Sequence, residues 1–120
     1  MSRIKILNKK YAQIGYISHN GELYLPLNYA IRFADECLEN EIAIAGIDFI
    51  HKNNGKILPV VPVNSLDCSH LFSNFNNWED IVKRSHYAAA VALKSEAQKD
   101  SKQLCTFTLL SKDEWLAHIR

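Results

Sequence analysis

Ile42-Ala43-Ile44-Ala45-Gly46-Ile47-Asp48-Phe49-Ile50 is apolar except for one glycine and one carboxylate, and it follows an amphipathic segment, Asn28 to about Asn40, with almost no linker. An isoleucine-rich run of this kind reads as a strand covered on both faces, not as a strand with one wet face. The preceding segment carries Leu27, Ala30, Ile31, Ala34, Cys37 and Leu38 at the helical period, with Arg32, Asp35, Glu36 and Glu39 opposite them. Pro26 and Asn28 open that helix, the proline as a first-turn residue and the asparagine as a cap. Asp48 then sits inside the strand or at its end.

Before this unit, Arg3 to Leu7 alternates charged and apolar residues as an edge strand does. Tyr11 to Ser18 is a second extended candidate, and the Asn20-Gly21 pair favours a tight turn that lets Glu22 to Leu25 pair back onto it. The expectation is an N-terminal hairpin. After the unit, Asn53-Asn54-Gly55 signals a turn. Lys56 to Val63 resumes an extended run in which Pro59 and Pro62 remove ladder donors, as at a sheet edge.

Asn64 to Asn77 reads as a long irregular loop that carries Leu66, Leu71, Phe72 and Phe75. A loop of that length in a small domain is uncommon unless functional. Asn77 is placed to cap a second helix, Trp78 to about Lys99, with Trp78, Ile81, Val82, Ser85, Ala88, Ala89, Ala92 and Leu93 as its inner stripe. Leu104 to Leu110 alternates as a last strand. Ser111 and Glu114 have capping-box spacing for a short terminal helix. The expected architecture is α+β: a mostly antiparallel sheet with two main helices packed on it and a short C-terminal helix, in one domain spanning residues 1–120.

Composition narrows the function classes. With 48% hydrophobic and 22% charged residues in 120, the chain can bury a core without staples. A net charge of +1, with its only basic cluster at Arg3, Lys5, Lys9 and Lys10, argues against direct nucleic-acid binding. No apolar run reaches the ~18 residues of a membrane span, and the N-terminus lacks an apolar signal core. Three widely spaced cysteines, Cys37, Cys68 and Cys105, do not form a disulfide framework. Cys37 and Cys105 read as small buried hydrophobes, and the expected compartment is the cytoplasm. No cofactor is expected.

Candidate chemistry centres on few residues. Asp67-Cys68-Ser69-His70 could supply a nucleophile and its base, making a small cytoplasmic enzyme the alternative reading, or could lend two ligands to zinc. No oxyanion-hole motif or paired ligand spacing accompanies it. Asp48 is either a structural carboxylate or a general base with a raised pKa. Residues 28–48 hold Asp35, Glu36, Glu39, Glu41 and Asp48 against Arg32, a local net charge of −4. Glu36, Glu39 and Glu41 lie toward the helix C-terminus, where the macrodipole disfavours each anion by about 0.3–1 kcal/mol. The stripe is therefore either a solvated face or a docking surface. Glu79 and Asp80 are acidic too, but suit the N-terminus they occupy. Trp78, Phe72 and Phe75 either anchor the second helix or form a binding hot spot.

The helix, the strand with Ile42, Ile44, Gly46, Asp48 and Phe49, and then Asn77-Trp78 before a long helix bearing Ser85 and Ala88 resemble a family of bacterial immunity proteins. These accompany polymorphic toxins, including those of contact-dependent growth inhibition. The resemblance spans about Leu27 to Ala92, with Ile47 standing where the family pattern favours a second glycine. It implies a cytoplasmic, non-catalytic protein that binds the C-terminal domain of a cognate toxin, nucleases being one class of such toxins. The implied toxin-binding candidates are Asp35, Glu36, Glu39, Phe72, Phe75, Glu79 and Asp80.

Overall fold

A computed structural model describes residues 2–18, 21–50, 52–53, 56–57, 64–74 and 77–118. In chain order its elements are α1 (Arg3–Ala12), β1 (Tyr16–Ile17), β2 (Leu23–Pro26), α2 (Leu27–Glu39), β3 (Ala43–Ile50), β4 (Lys52–Asn53), β5 (Lys56–Ile57), β6 (Asn64–Asp67), α3 (Leu71–Asn74), α4 (Trp78–Lys99), β7 (Leu104–Leu110) and α5 (Lys112–His118). Five strands form one sheet in the order β1-β2-β7-β3-β6, with every pairing antiparallel. Strands β4 and β5 pair with each other. Helices α2 and α4 pack on the sheet, so the α+β architecture stands as expected. No described helix is long and apolar enough to cross a membrane.

The N-terminal reading needs correction. Arg3–Leu7 is not a strand but the start of helix α1. Alternation over five residues cannot separate a period of 2 from 3.6. Over the longer window Ile4, Leu7 and Tyr11 share one helical side, and Leu7 and Tyr11 are buried. Ser2 Oγ caps the helix by accepting the Lys5 amide at 3.2 Å. The expected Tyr11–Ser18 strand shrinks to Tyr16–Ile17, which does pair with β2.

Helix α2 begins at Leu27. Pro26 occupies the capping position without a side-chain bond, so Asn28 is not the cap. Ile31, expected in the apolar stripe, is 37% exposed, and Phe33 takes its place inside at 1%. The near-absence of a linker after α2 has a local cause. Glu41 adopts φ 59°, the left-handed conformation usually left to glycine. There the Ile42 amide donates to Cys37 O at 2.8 Å and the Glu41 amide to Leu38 O at 3.2 Å, a Schellman closure that swings the chain straight into β3. Arg3 donates to Asn40 O at 3.1 Å and to Glu41 Oε2 at 3.2 Å, and Trp78 Nε1 donates to Glu41 O at 3.0 Å. These contacts hold the strained residue.

Strand β3 is interior, between β7 and β6, but it is not covered on both sides along its length. A bulge at Ala45 shifts its register between Ile44 and Gly46. By strict alternation Ile44 and Ile47 would face opposite ways; the extra residue lets both enter the main core with Phe49. Past the bulge, Gly46 and Asp48 fall on the other face beside Asp67, Thr108, Ser65 and Thr106, all exposed or half-buried. The buried amide of Ile44 donates to Ser85 Oγ at 3.0 Å, and Ser85 Oγ in turn donates to Val82 O at 3.1 Å. Gly46 is needed for the approach of β6, because a Cβ there would stand 2.8 Å from Leu66 O. Gly46→Ala is expected to cost about 1–2 kcal/mol, the lower part of the overpacking range, because β6 at the sheet edge can yield. Amide exchange should quicken at Leu66 and Cys68 ahead of the rest of the sheet; uniform protection would contradict this.

The expected loop of residues 64–77 also resolves differently. It contributes β6 and the single-turn helix α3. Asn77 caps α4 as expected, its Oδ1 accepting the amides of Glu79 at 2.8 Å and Asp80 at 3.4 Å. Ser111 and Glu114 form the reciprocal box at 3.2 and 3.1 Å. Trp78 and Trp115 pack at 5.4 Å between ring centroids over Ala43, Leu71 and Val82, so Trp78 is a core anchor. The run Leu58–Val63, the Asn54-Gly55 turn, Asn20, His19, His51 and Phe75 lie outside the described residues.

Candidate functional site

Three places hold the residues that could carry function. The first is the acidic stripe. Asp35, Glu36 and Glu39 do come together, in a groove of about 380 Å³ between α1 and α2 that Lys10, Tyr11 and Tyr29 also line. Tertiary partners already occupy most of its charge. Glu36 accepts hydrogen bonds from both Lys10 Nζ and the Tyr11 hydroxyl. Asp35 Oδ1 lies 2.8 Å from His86 Nε2 on α4. Glu41, counted with the stripe, pairs with Arg3. Burial alone would push the Glu36 carboxyl up, but the hydrogen bonds and charge of Lys10 and the Tyr11 bond outweigh it and hold the group below its ordinary value. Burial and the same carboxylate push the Tyr11 phenol up. Three of the stripe's anions are thus fasteners, Glu36 and Glu41 of α1 and Asp35 of α4, although Asp35 and Glu41 are exposed, as Glu39 is. Phe72, Glu79 and Asp80 do not line this groove. Phe72 is half-buried and its carbonyl accepts from Trp115 Nε1 at 3.0 Å, while Glu79 and Asp80 are exposed.

The second place is Asp67-Cys68-Ser69-His70. Asp67 accepts the Ser69 amide at 2.9 Å, and the amides of Leu71 and Phe72 donate to Cys68 O and Ser69 O. The stretch is a turn that launches α3. Hydrogen bonds from Ser69 hold the Asp67 carboxyl below its usual range. Cys68 is 1% exposed while His70 is exposed. Burial, with the Asp67 charge adding to it, pushes the Cys68 thiol up, which keeps it protonated and a poor nucleophile at neutral pH. Cys37 and Cys105 are buried and their thiols are pushed up to about 12 by burial. Among the described residues no group of three or more His, Cys, Asp or Glu side chains could hold a metal ion. Asp48 is half-buried and accepts from Ser65 Oγ at 2.8 Å, a cross-strand bond that ties β6 to β3.

The third place was not expected. On the outward side of α4, Tyr87 and Val91 are 72% and 52% exposed, one turn apart. They border a groove of about 430 Å³ whose floor is Phe49, Leu66, Ala88 and Ala92. The signal was present in the sequence: both residues are apolar, four apart, and lie off the inner stripe of α4. At one end of the groove Glu96 is 4% exposed. It accepts from Lys99 and Asn64, each at 3.0 Å. Those bonds prevail over desolvation and hold its carboxyl below the ordinary value. Comparison of the chain with protein-family models, curated proteins and solved structures gives no match.

Proposed function

We propose that this protein is a cytoplasmic immunity protein that binds the C-terminal domain of a cognate bacterial toxin and blocks it, with no chemistry of its own. The reading starts from the resemblance carried by the α2–β3 unit and α4. The observation that carries it further is the exposed Tyr87–Val91 pair over an apolar groove. Large apolar side chains left in water beside a concave surface are the usual mark of a protein contact. The protonated, buried thiol of Cys68 supports the same reading against the enzyme alternative.

The test is a search of the neighbouring genes for a toxin domain and co-expression of this chain with it. Survival of cells that otherwise die, together with a stable complex of the two purified proteins, is the expected result. A variant with Cys68→Ala and His70→Ala should protect as well as the parent. Loss of protection with toxin binding and the circular-dichroism spectrum unchanged would transfer the function to chemistry at Cys68.

A further inference from the structure

We infer that the groove between α4 and β6 is the docking face of this protein, and that its occupant is an acidic protein surface which seats one apolar side chain between Tyr87 and Val91. The inference rests on the binding-module reading above and names the surface and the chemistry of its partner.

The groove exists because α4 places Ala88 and Ala92 against β6, where larger side chains would fill the space. Phe49 and Leu66 close its floor, so a seated side chain would meet apolar atoms. Tyr87 and Val91 project beside it with two or fewer rotatable bonds in each side chain. A tyrosine loses little entropy on binding and serves as an anchor, and Val91 adds apolar surface one turn along. The groove lies open along α4 and does not enclose a ligand, which suits a side chain presented from another protein's surface.

Charge decides the partner. Past Glu79 and Asp80 in its first turn, helix α4 has no acidic residue until Glu96, and Lys83 and Lys94 lie within about a turn of Tyr87 and Val91. Lys83 and Lys94 are exposed. Lys99, at the groove's far end, is paired with Glu96, and the two charges offset each other. The one carboxylate lining the groove, Glu96, is buried and already bonded to Lys99 and Asn64, so it adds little negative field outside. Lys83 and Lys94 stand within about a Debye length of the anchors and act on a partner together. They put positive charge beside Tyr87 and Val91, and an acidic surface complements it. This is the reverse of the partner that the α2 stripe would select. In that stripe Glu36 and Glu41 are paired with Lys10 and Arg3, and Asp35 is hydrogen-bonded to His86.

The experiment uses two short synthetic peptides with the same central tryptophan-leucine pair, one flanked by aspartate and glutamate, the other by lysine and arginine. Amide chemical-shift mapping on the full chain reads where each binds. The acidic peptide should saturate, perturb residues 83–95 and 64–66, and weaken several-fold when salt is raised from about 50 to 300 mM. Tyr87→Ala should weaken it at least about tenfold, as truncation of an anchor does. Lys83→Glu with Lys94→Glu should do the same. All three positions are exposed, so these variants keep the fold, which the unperturbed part of the spectrum verifies. Equal or tighter binding of the basic peptide, or perturbation centred on residues 29–39, overturns the inference. So does concentration-dependent self-association that Tyr87→Ala abolishes without any peptide binding, because the occupant is then a second copy. The arms separate this inference from the functional one. If a variant carrying Tyr87→Ala, Lys83→Glu and Lys94→Glu together still binds and neutralises the toxin with the parent's Kd, the docking face lies elsewhere and the immunity reading survives. If no toxin is neutralised but the acidic peptide binds as described, the surface stands and the immunity reading falls.

Discussion

Replacing Phe33 with alanine is expected to cost about 3–5 kcal/mol, the range for truncating a fully buried phenylalanine. Its ring is 1% exposed. It meets the Tyr11 ring edge-on at 5.2 Å and the Phe107 ring at 4.7 Å. One side chain therefore joins α1, α2 and β7. Its loss removes transfer energy and opens a cavity that three separate elements would have to move to fill. Against a typical total of about 5–15 kcal/mol, the change is a large fraction of the stability. Denaturant unfolding should show a lower midpoint with an unchanged slope, and amide exchange should show α1 opening first. A loss under about 1 kcal/mol would mean that the site collapses readily and that Phe33 is not the hub described.

Glu36→Lys is expected to destabilise by about 1.5–3 kcal/mol, the range for losing hydrogen bonds to a charged group. Local helix physics alone gives the opposite sign, since a cation suits a helix C-terminus. The tertiary contact decides, because Glu36 is the acceptor for both Lys10 and Tyr11 and a lysine there would face Lys10. The same carboxylate sets a pH dependence. Its pKa in the folded protein lies below the ordinary 4.5. Its contribution is therefore complete above about that value and is lost as pH falls through the lower folded-state value. Glu36→Gln should remove that part of the acid sensitivity. Stability equal to or above the parent's in Glu36→Lys would show that the dipole prevails and that the contact with α1 is incidental. The consequence for function is direct. Reversing the charge of Asp35, Glu36 and Glu39 together would loosen the fold, whereas the α4 variants Tyr87→Ala, Lys83→Glu and Lys94→Glu leave the fold intact.

The candidate site was only partly legible in advance. The acidic stripe stood out because it breaks a local rule, and a broken rule with no local gain points to function or to a distant partner. The partners here are Arg3, Lys10 and His86, which are 38, 26 and 51 residues away from Glu41, Glu36 and Asp35. Nothing in a local window gives such pairings. Tyr87 and Val91 broke a rule as well, as apolar residues on the wet side of α4, but they were masked by the longer and richer stripe on its other side. The Cys68–His70 turn shows the converse. Adjacency in sequence placed two reactive types together, and the turn that follows buries one and exposes the other.

What the chain determines by itself is whatever rests on period and caps. Helix α4 runs from Trp78 to Lys99 under the Asn77 cap, α5 starts at the Ser111–Glu114 box, and β7 spans Leu104 to Leu110. In each case the signal is longer than the ambiguity between periods, or a side chain satisfies a backbone group only a few residues away. Tertiary structure decided the rest. Helix α1 overrides a strand-like alternation because Leu7 and Tyr11 find α2 to bury against. The β3 bulge turns Ile44 and Ile47 to one side because the sheet has helices to receive them there, and Ser85 on α4 accepts the Ile44 amide. Strand β6 emerges from an apparent loop because Gly46 lets a neighbouring backbone approach. Each of these depends on a group far along the chain, and the free energy of such a contact exists only once the ends have met.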